Sequence, residues 1–183
     1  MTDPVPLPPP VLTDGELLLR PWHHASMDTI GRWMNWCTPG YSNADALLWM
    51  RDVERGWASG EGECALAVTV GGGQPLGCVG LNQFRTEYRT ANVGYWVGQP
   101  HQGQGLAARA VRLLAPYAFE RFGLRRLEIV VAEHNLPSRR TAEKAGARFE
   151  GIARKRLVVH GESVHAAMYA LVAEDLRQAV AAP

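Results

Sequence analysis

Residues 95–107 read YWVGQPHQGQGLA: a strand-like stretch, a loop with glycines at 103 and 105, and the start of an amphipathic helix at Leu106. A helix that begins directly after such a loop leaves its first N–H groups unpaired, and its aligned peptide dipoles add about half a positive charge there. Gly103 and Gly105 let the backbone approach an anion closely, so the stretch can hold a phosphate without any lysine. Two glycines can also serve only to shape a turn, and the surrounding pattern has to decide. The P-loop pattern G-x-x-x-x-G-K-[ST] is absent, and no third glycine completes a dinucleotide fingerprint after Gly103 and Gly105. ATP hydrolysis and NAD chemistry lose support accordingly.

Upstream, Glu16 to Arg20 reads as a short strand, and Ala25 to Trp36 and Ala44 to Ser59 read as helices, the second capped at Ser42 or Asn43 and closed by Gly60. Glu63 to Val70, Leu76 to Phe84 and Ala91 to Val97 are apolar, β-branched runs that predict an antiparallel meander. Downstream, the helix from Leu106 to Phe122 is interrupted by Pro116, which predicts a kink. A strand from Arg126 to Ala132 and a helix from Pro137 to Ala145 follow, and a strand-helix-strand succession implies a right-handed parallel crossover. Phe149 to Val159 and Glu162 to Val172 read as a hairpin turning at His160-Gly161. The chain is therefore expected to be a mixed α/β fold of about seven strands. Residues 1–14 are Pro-rich and read as a mobile tail, leaving 15–183 as a single domain.

Composition narrows the partners. A net charge of +1 provides no basic field for nucleic acid, so any anion has to be bound locally. No apolar run is long enough for a membrane span, and the opening MTDPVPLPPP lacks the basic and apolar segments of a signal peptide, so a cytoplasmic protein is expected. Cys37, Cys64 and Cys78 lack metal-ligand spacing, which predicts reduced, buried thiols and no metal.

A second segment joins the first. Glu133 to Gly151 contains N-x-x-S-x-x-x-x-x-K-x-G-A, with Asn135, Ser138, Lys144 and Gly146 at the marked places, while Gln102, Gly105 and Ala107 fill [QR]-x-x-G-x-[GA]. Together these resemble the two coenzyme-binding motifs of the GNAT superfamily of acyl-coenzyme A N-acyltransferases. With Gly94-Tyr-Trp-Val97, the Gly161-Glu162 turn and Met168-Tyr-Ala-Leu171, the resemblance is to the RimJ/RimL branch, whose members acetylate protein N-termini. It covers about residues 15–172.

The resemblance implies a central, mostly antiparallel mixed sheet flanked by helices, with a splayed strand pair holding acetyl-CoA as co-substrate. Tyr95, Trp96 and Val97 would line the pantetheine arm, and the backbone of Gln102, Gly103, Gln104, Gly105, Leu106 and Ala107 would cradle the pyrophosphate. Asn135 and Ser138 would face the pantetheine and the thioester sulfur, and Arg139 or Arg140 would reach the nucleotide phosphates. An amine would attack the thioester directly, its oxyanion held by an N–H near Val93 or Gly94.

Two positions depart from the family. Ala142 stands where many relatives carry a tyrosine acid, leaving Ser138 as candidate proton donor. Asn92 stands at a catalytic position where relatives of this branch carry glutamate, and an amide is no base. Glu63, Glu87, His134 and His165 are the remaining candidates for that role, with His134 favoured by its place beside Asn135. The expected acceptor is a primary amine, foremost a protein N-terminus. A small amine, a succinyl donor read by Arg85 or Arg89, and a non-catalytic coenzyme A-binding module are the alternatives. Relatives also suggest a homodimer. Trp22, Trp33, Trp36, Trp49 and Trp57 concentrate in the first third, as core packing or as the wall of an acceptor pocket.

Overall fold

The computed structural model describes residues 8–22, 42–159 and 161–176. Its strands are β1 (Leu12–Thr13), β2 (Leu17–Arg20), β3 (Cys64–Val70), β4 (Gly77–Arg85), β5 (Thr90–Val97), β6 (Arg126–Ala132), β7 (Arg148–Val159) and β8 (Glu162–Leu171). The helices are α1 (Asn43–Ser59), α2 (Leu106–Phe122) and α3 (Leu136–Lys144), with a short 3-10 turn at Gln99–His101. All eight strands form one sheet in the order β1-β2-β3-β4-β5-β6-β8-β7. The β3–β4–β5 meander is antiparallel, and β5 and β6 form the parallel pair that the crossover through α2 implies.

Alternation along the strands builds the core. Leu66, Val79, Leu81 and Val93 are cross-strand neighbours on one face, continued by Leu127, Ile129 and Tyr169, and all are buried. Helix α2 contributes Leu106, Ala110, Val111, Leu114 and Ala118 to the same cluster. Its small alanines let the helix lie close to the sheet. Pro116 sits inside α2 on its exposed side, and the helix runs on to Phe122. The carbonyl that proline leaves without a helical donor is thus on the side open to water, and the helix keeps the bounds read from the sequence.

The sheet starts earlier than the sequence suggests. Leu12 and Thr13 pair with Leu19 and Leu18, and Asp14 makes a two-pronged ion pair with Arg109 of α2 at 2.9 Å through both oxygens. The prolines before Val11 conceal a strand that depends on a partner 95 residues away. The expected helix from Ala25 to Trp36, Trp33, Cys37 and His160 lie outside the described residues. Helix α1 matches its expected cap: Ser42 and Asp45 form a reciprocal capping box, and Gly60 ends the helix in the left-handed region. Cys64 and Cys78 are buried free thiols.

Two tests follow from this packing. A Cβ on Gly56 would lie 2.0 Å from the Glu63 carbonyl oxygen, a backbone atom that cannot swing away. Gly56→Ala should therefore destabilise by about 1–3 kcal/mol despite alanine's better helix propensity, and an unfolding midpoint at or above wild type would contradict this close approach. The Arg109 hydrogen bonds hold the Asp14 carboxyl down at about 2, against 3.8 for a free aspartate. A lowered folded-state value means that the pair stabilises fully above pH of about 4 and fades as the pH falls toward 2. Asp14→Asn should cost no more than about 1 kcal/mol at neutral pH, because the pair is partly exposed, and the cost should vanish as the pH falls through about 2. A cost that persists at low pH would show that the pair is not its source.

Candidate functional site

The parallel pairing of β5 with β6 lasts for three residues, Thr90 to Asn92 against Arg126 to Glu128. Beyond it β5 stays with β4, from Val93 opposite Leu81 to Val97 opposite Gly77. Strand β6 stays with β8 as far as Ala132 opposite Ala166. The two strands fork at Asn92, and a cleft of about 490 Å³ lies beside the opening. Tyr95, Trp96 and Val97 form one wall, the Gln102–Gly105 loop and the start of α2 form the end, and α3 forms the other wall.

The loop is shaped for an anion. Gly103 and Gly105 have φ of 78° and 75°, the left-handed region that glycine tolerates best, and neither Cα faces any atom within 4 Å that a side chain would meet. The Gln102 side chain turns back and donates to the Val97 carbonyl at 3.1 Å, tying the loop to the end of β5. Gly105 caps α2 with no side chain, so the first N–H groups of the helix open on the cleft without a capping partner. Arg140 and Lys144, one of the chain's two lysines, add positive charge along the α3 wall.

Helix α3 starts where Asn135 accepts a hydrogen bond from the Ser138 N–H at 3.2 Å, with proline inside the first turn. Pro137, Ser138, Arg140, Thr141 and Lys144 fall on the cleft side of this helix. The Tyr95 hydroxyl crosses the opening and donates to the Ser138 carbonyl at 2.9 Å, with the Ser138 hydroxyl 3.2 Å away. Burial pushes the Tyr95 phenol up to about 12, partly offset by that hydrogen bond to Ser138, so it stays neutral through the physiological range.

Most residues expected at the site meet here: Tyr95, Trp96, Val97, Gln102, Gly103, Gly105, Leu106, Ala107, Asn135 and Ser138 all line the cleft. Four do not. Arg139 is turned away: its guanidinium donates to the Tyr169 hydroxyl at 3.1 Å and to the Glu133 carbonyl at 3.3 Å, and lies over the Phe149 ring. The next residue, Arg140, takes the place in the wall. Gln104 is an exposed loop residue outside the cleft. His134 is exposed, because the turn closed by the Asn135 N–H on the Ala132 carbonyl carries it outward from the end of β6. Asn92 sits at the fork on the opposite face from Tyr95, where its amide donates to Asn82 Oδ1 at 2.9 Å and its own oxygen is buried without a partner. Lys144, a marked position of the second motif, lines the wall too, and His101 and Thr141 enter it without having been assigned to it; continuing the helical period from Ser138 would have found Thr141.

That opposite face holds a further group of polar and aromatic residues. Glu63 directly precedes Cys64, whose cross-strand partner is Leu81, so it stands beside Asn82. It accepts a hydrogen bond from Trp49 Nε1 at 3.0 Å, and burial raises its proton affinity above that of an ordinary glutamate. Trp49 packs edge-on against Trp22 at 5.7 Å, and Trp22 stacks with Trp96 at 6.3 Å. His165 is engaged elsewhere, accepting at Nδ1 from the Lys155 N–H. Glu87 is exposed in the turn before β5.

Comparison with known proteins agrees with this geometry. The family model for the acetyltransferase (GNAT) domain matches residues 7–148. A probable N-acetyltransferase of Bacillus subtilis, YjcK, is 44% identical over 87 residues, which is 47% of this chain and 48% of that protein. A ribosomal-protein-serine acetyltransferase of Escherichia coli is 32% identical over 76 residues, 42% of each chain. The chain thus spans about half the length of the curated relatives it matches. Among solved structures, Mycobacterium smegmatis RimJ in complex with a CoA disulfide superimposes with a TM-score of 0.79 at 22% identity, covering 94% of both chains. RimL in complex with coenzyme A gives 0.78 at 17% identity, covering 89% of this chain and 98% of that one. A forked strand pair, a glycine loop at a helix start and a family match that spans both place this chain in the GNAT acetyltransferase family.

Proposed function

We propose that the chain is an acetyl-CoA-dependent N-acetyltransferase whose acceptor is a primary amine, foremost a protein N-terminus. The observation that carries this reading is the continuity of the fork with the loop: one cleft joins the edge of β5 to the uncapped start of α2. A pyrophosphate fits the positive helix end, and an extended amide-bearing arm fits the strand edge that β6 has left. Solved neighbours carry coenzyme A in complex, and one relative is named for acetylating a ribosomal protein.

On this reading the amine nitrogen attacks the thioester carbonyl carbon, the C–S bond breaks, and the thiolate leaves toward α3. An N–H near Val93 or Gly94, just past the fork, would hold the oxyanion. The acceptor comes from the face that carries Asn92 and the Trp22–Trp49–Trp96 cluster. Glu63 is the base this arrangement favours, since it stands on that face next to the Asn82–Asn92 pair and holds a proton more tightly than an ordinary carboxylate. The succinyl alternative draws no support, because Arg85 and Arg89 are exposed at the two ends of the β4–β5 turn and outside the cleft. Among the described residues, no helix is long and apolar enough to cross a membrane.

Thermal-shift titration tests the donor. Acetyl-CoA at 100 times its dissociation constant should add about 2.7 kcal/mol of stability, and ATP should add none. Gly105→Glu should abolish the shift by setting a strained carboxylate in the loop; an unchanged shift in that variant would remove the loop from the phosphate site. For the base, Glu63→Gln should lower kcat about 100-fold or more while acetyl-CoA affinity is kept. A base works only when deprotonated, so wild-type kcat/KM should fall as pH drops through a value above 4.5, and the variant should lose that limb. A variant with full activity would exclude Glu63.

A further inference from the structure

The hydroxyl that sequence motifs assign to the leaving group is not alone in the cleft. Ser138 reaches the opening from α3, and Tyr95 reaches it from β5, on the other side of the fork. The Tyr95 proton is committed to the Ser138 carbonyl at 2.9 Å, so at the 3.2 Å contact between the two hydroxyls it is Ser138 that donates. The serine side chain is thereby held in one rotamer, and so is the first turn of α3, which also bonds to Asn135. Helix α3 is pinned on its other side as well: the Tyr169 hydroxyl donates to Glu143 at 2.9 Å and accepts from Arg139. A tyrosine at each side therefore fixes the helix that carries Ser138 across the gap.

We propose that Tyr95 is a positioning residue for the transfer step, which acts through Ser138 by holding that hydroxyl where it can turn its hydrogen bond onto the departing sulfur. This inference rests on the acetyltransferase reading. Ala142, which stands on α3 where many relatives carry a tyrosine, has no polar group and is fully buried, so it cannot share the role. No proton leaves Tyr95 in this account. As a thiolate forms, the Ser138 O–H turns from the Tyr95 oxygen to the sulfur and stabilises its negative charge, and the phenol stays bonded to the Ser138 carbonyl. A phenol that remains neutral across the working range suits such a fixed donor better than one that ionises.

The test is a double-mutant cycle on kcat with Tyr95→Phe, Ser138→Ala and both together, with acetyl-CoA affinity and unfolding temperature measured for each. Tyr95→Phe keeps the ring and should lower kcat about 10-fold with little change in acetyl-CoA affinity. In the Ser138→Ala background the same substitution should have no further effect on kcat, because its target is gone. Additive losses would mean that Tyr95 acts independently of Ser138 and would overturn the proposal. So would an unchanged kcat in Tyr95→Phe, or a loss that appears only as weaker binding or a lower unfolding temperature. Failure of the wild-type chain to bind acetyl-CoA would instead overturn the functional reading on which the proposal rests.

Discussion

The separation of β5 from β6 after Asn92 is the constraint on which the rest of the structure depends. A parallel pair that stayed in register to Val97 would satisfy its own backbone groups and leave no cleft. Each strand is instead held by its outer neighbour, β5 by β4 and β6 by β8, so the sheet remains one cooperative body while its middle opens. The helices that follow the two strands then face each other across the gap. Helix α2 presents its N-terminus to it, and α3 presents the row from Pro137 to Lys144.

An opening in a sheet is held by what spans it. Below the fork, the Arg125 N–H on the Arg89 carbonyl closes the bottom at 2.8 Å. Above it, the Tyr95 contact with Ser138 sets the distance between β5 and α3, and Arg112 joins α2 to the last turn of α3 through the Lys144 carbonyl at 2.6 Å. These are hydrogen bonds between separate elements, each worth little alone. Their combined effect is geometric, since they fix the walls of the cleft on either side of the fork. The close approach of β3, β4 and β5 works to the same end: Gly77 and Gly80 lie against the backbones of their neighbours, where a Cβ would meet a carbonyl oxygen at 2.3 and 2.5 Å.

Local signals made much of this legible in the sequence. Apolar, β-branched runs mark the meander, Gly60 and Ser42 mark the ends of α1, and the glycine loop before Leu106 marks both a helix start and its chemistry. What escaped depends on distant partners. Strand β1 hides behind prolines and is held through Asp14 by Arg109, which no local window contains. The choice between Arg139 and Arg140 is made by Tyr169, 30 residues on, which captures the first and leaves the second to the cleft. The hydroxyl of Tyr95 likewise gains its meaning only from Ser138, 43 residues away. His134 looked well placed by its neighbour Asn135, but the tight turn between them and β6 directs it outward.

The most direct test of the central claim is an NMR titration of the 15N-labelled chain with acetyl-CoA. The account predicts that the largest amide shifts cluster at Gly103 to Ala107 and along Tyr95 to Val97, with smaller ones at Asn135 and Ser138, while β1 and the β7–β8 hairpin stay unchanged. Saturable shifts centred away from the fork, with the Gly103 to Ala107 amides unmoved, would contradict it.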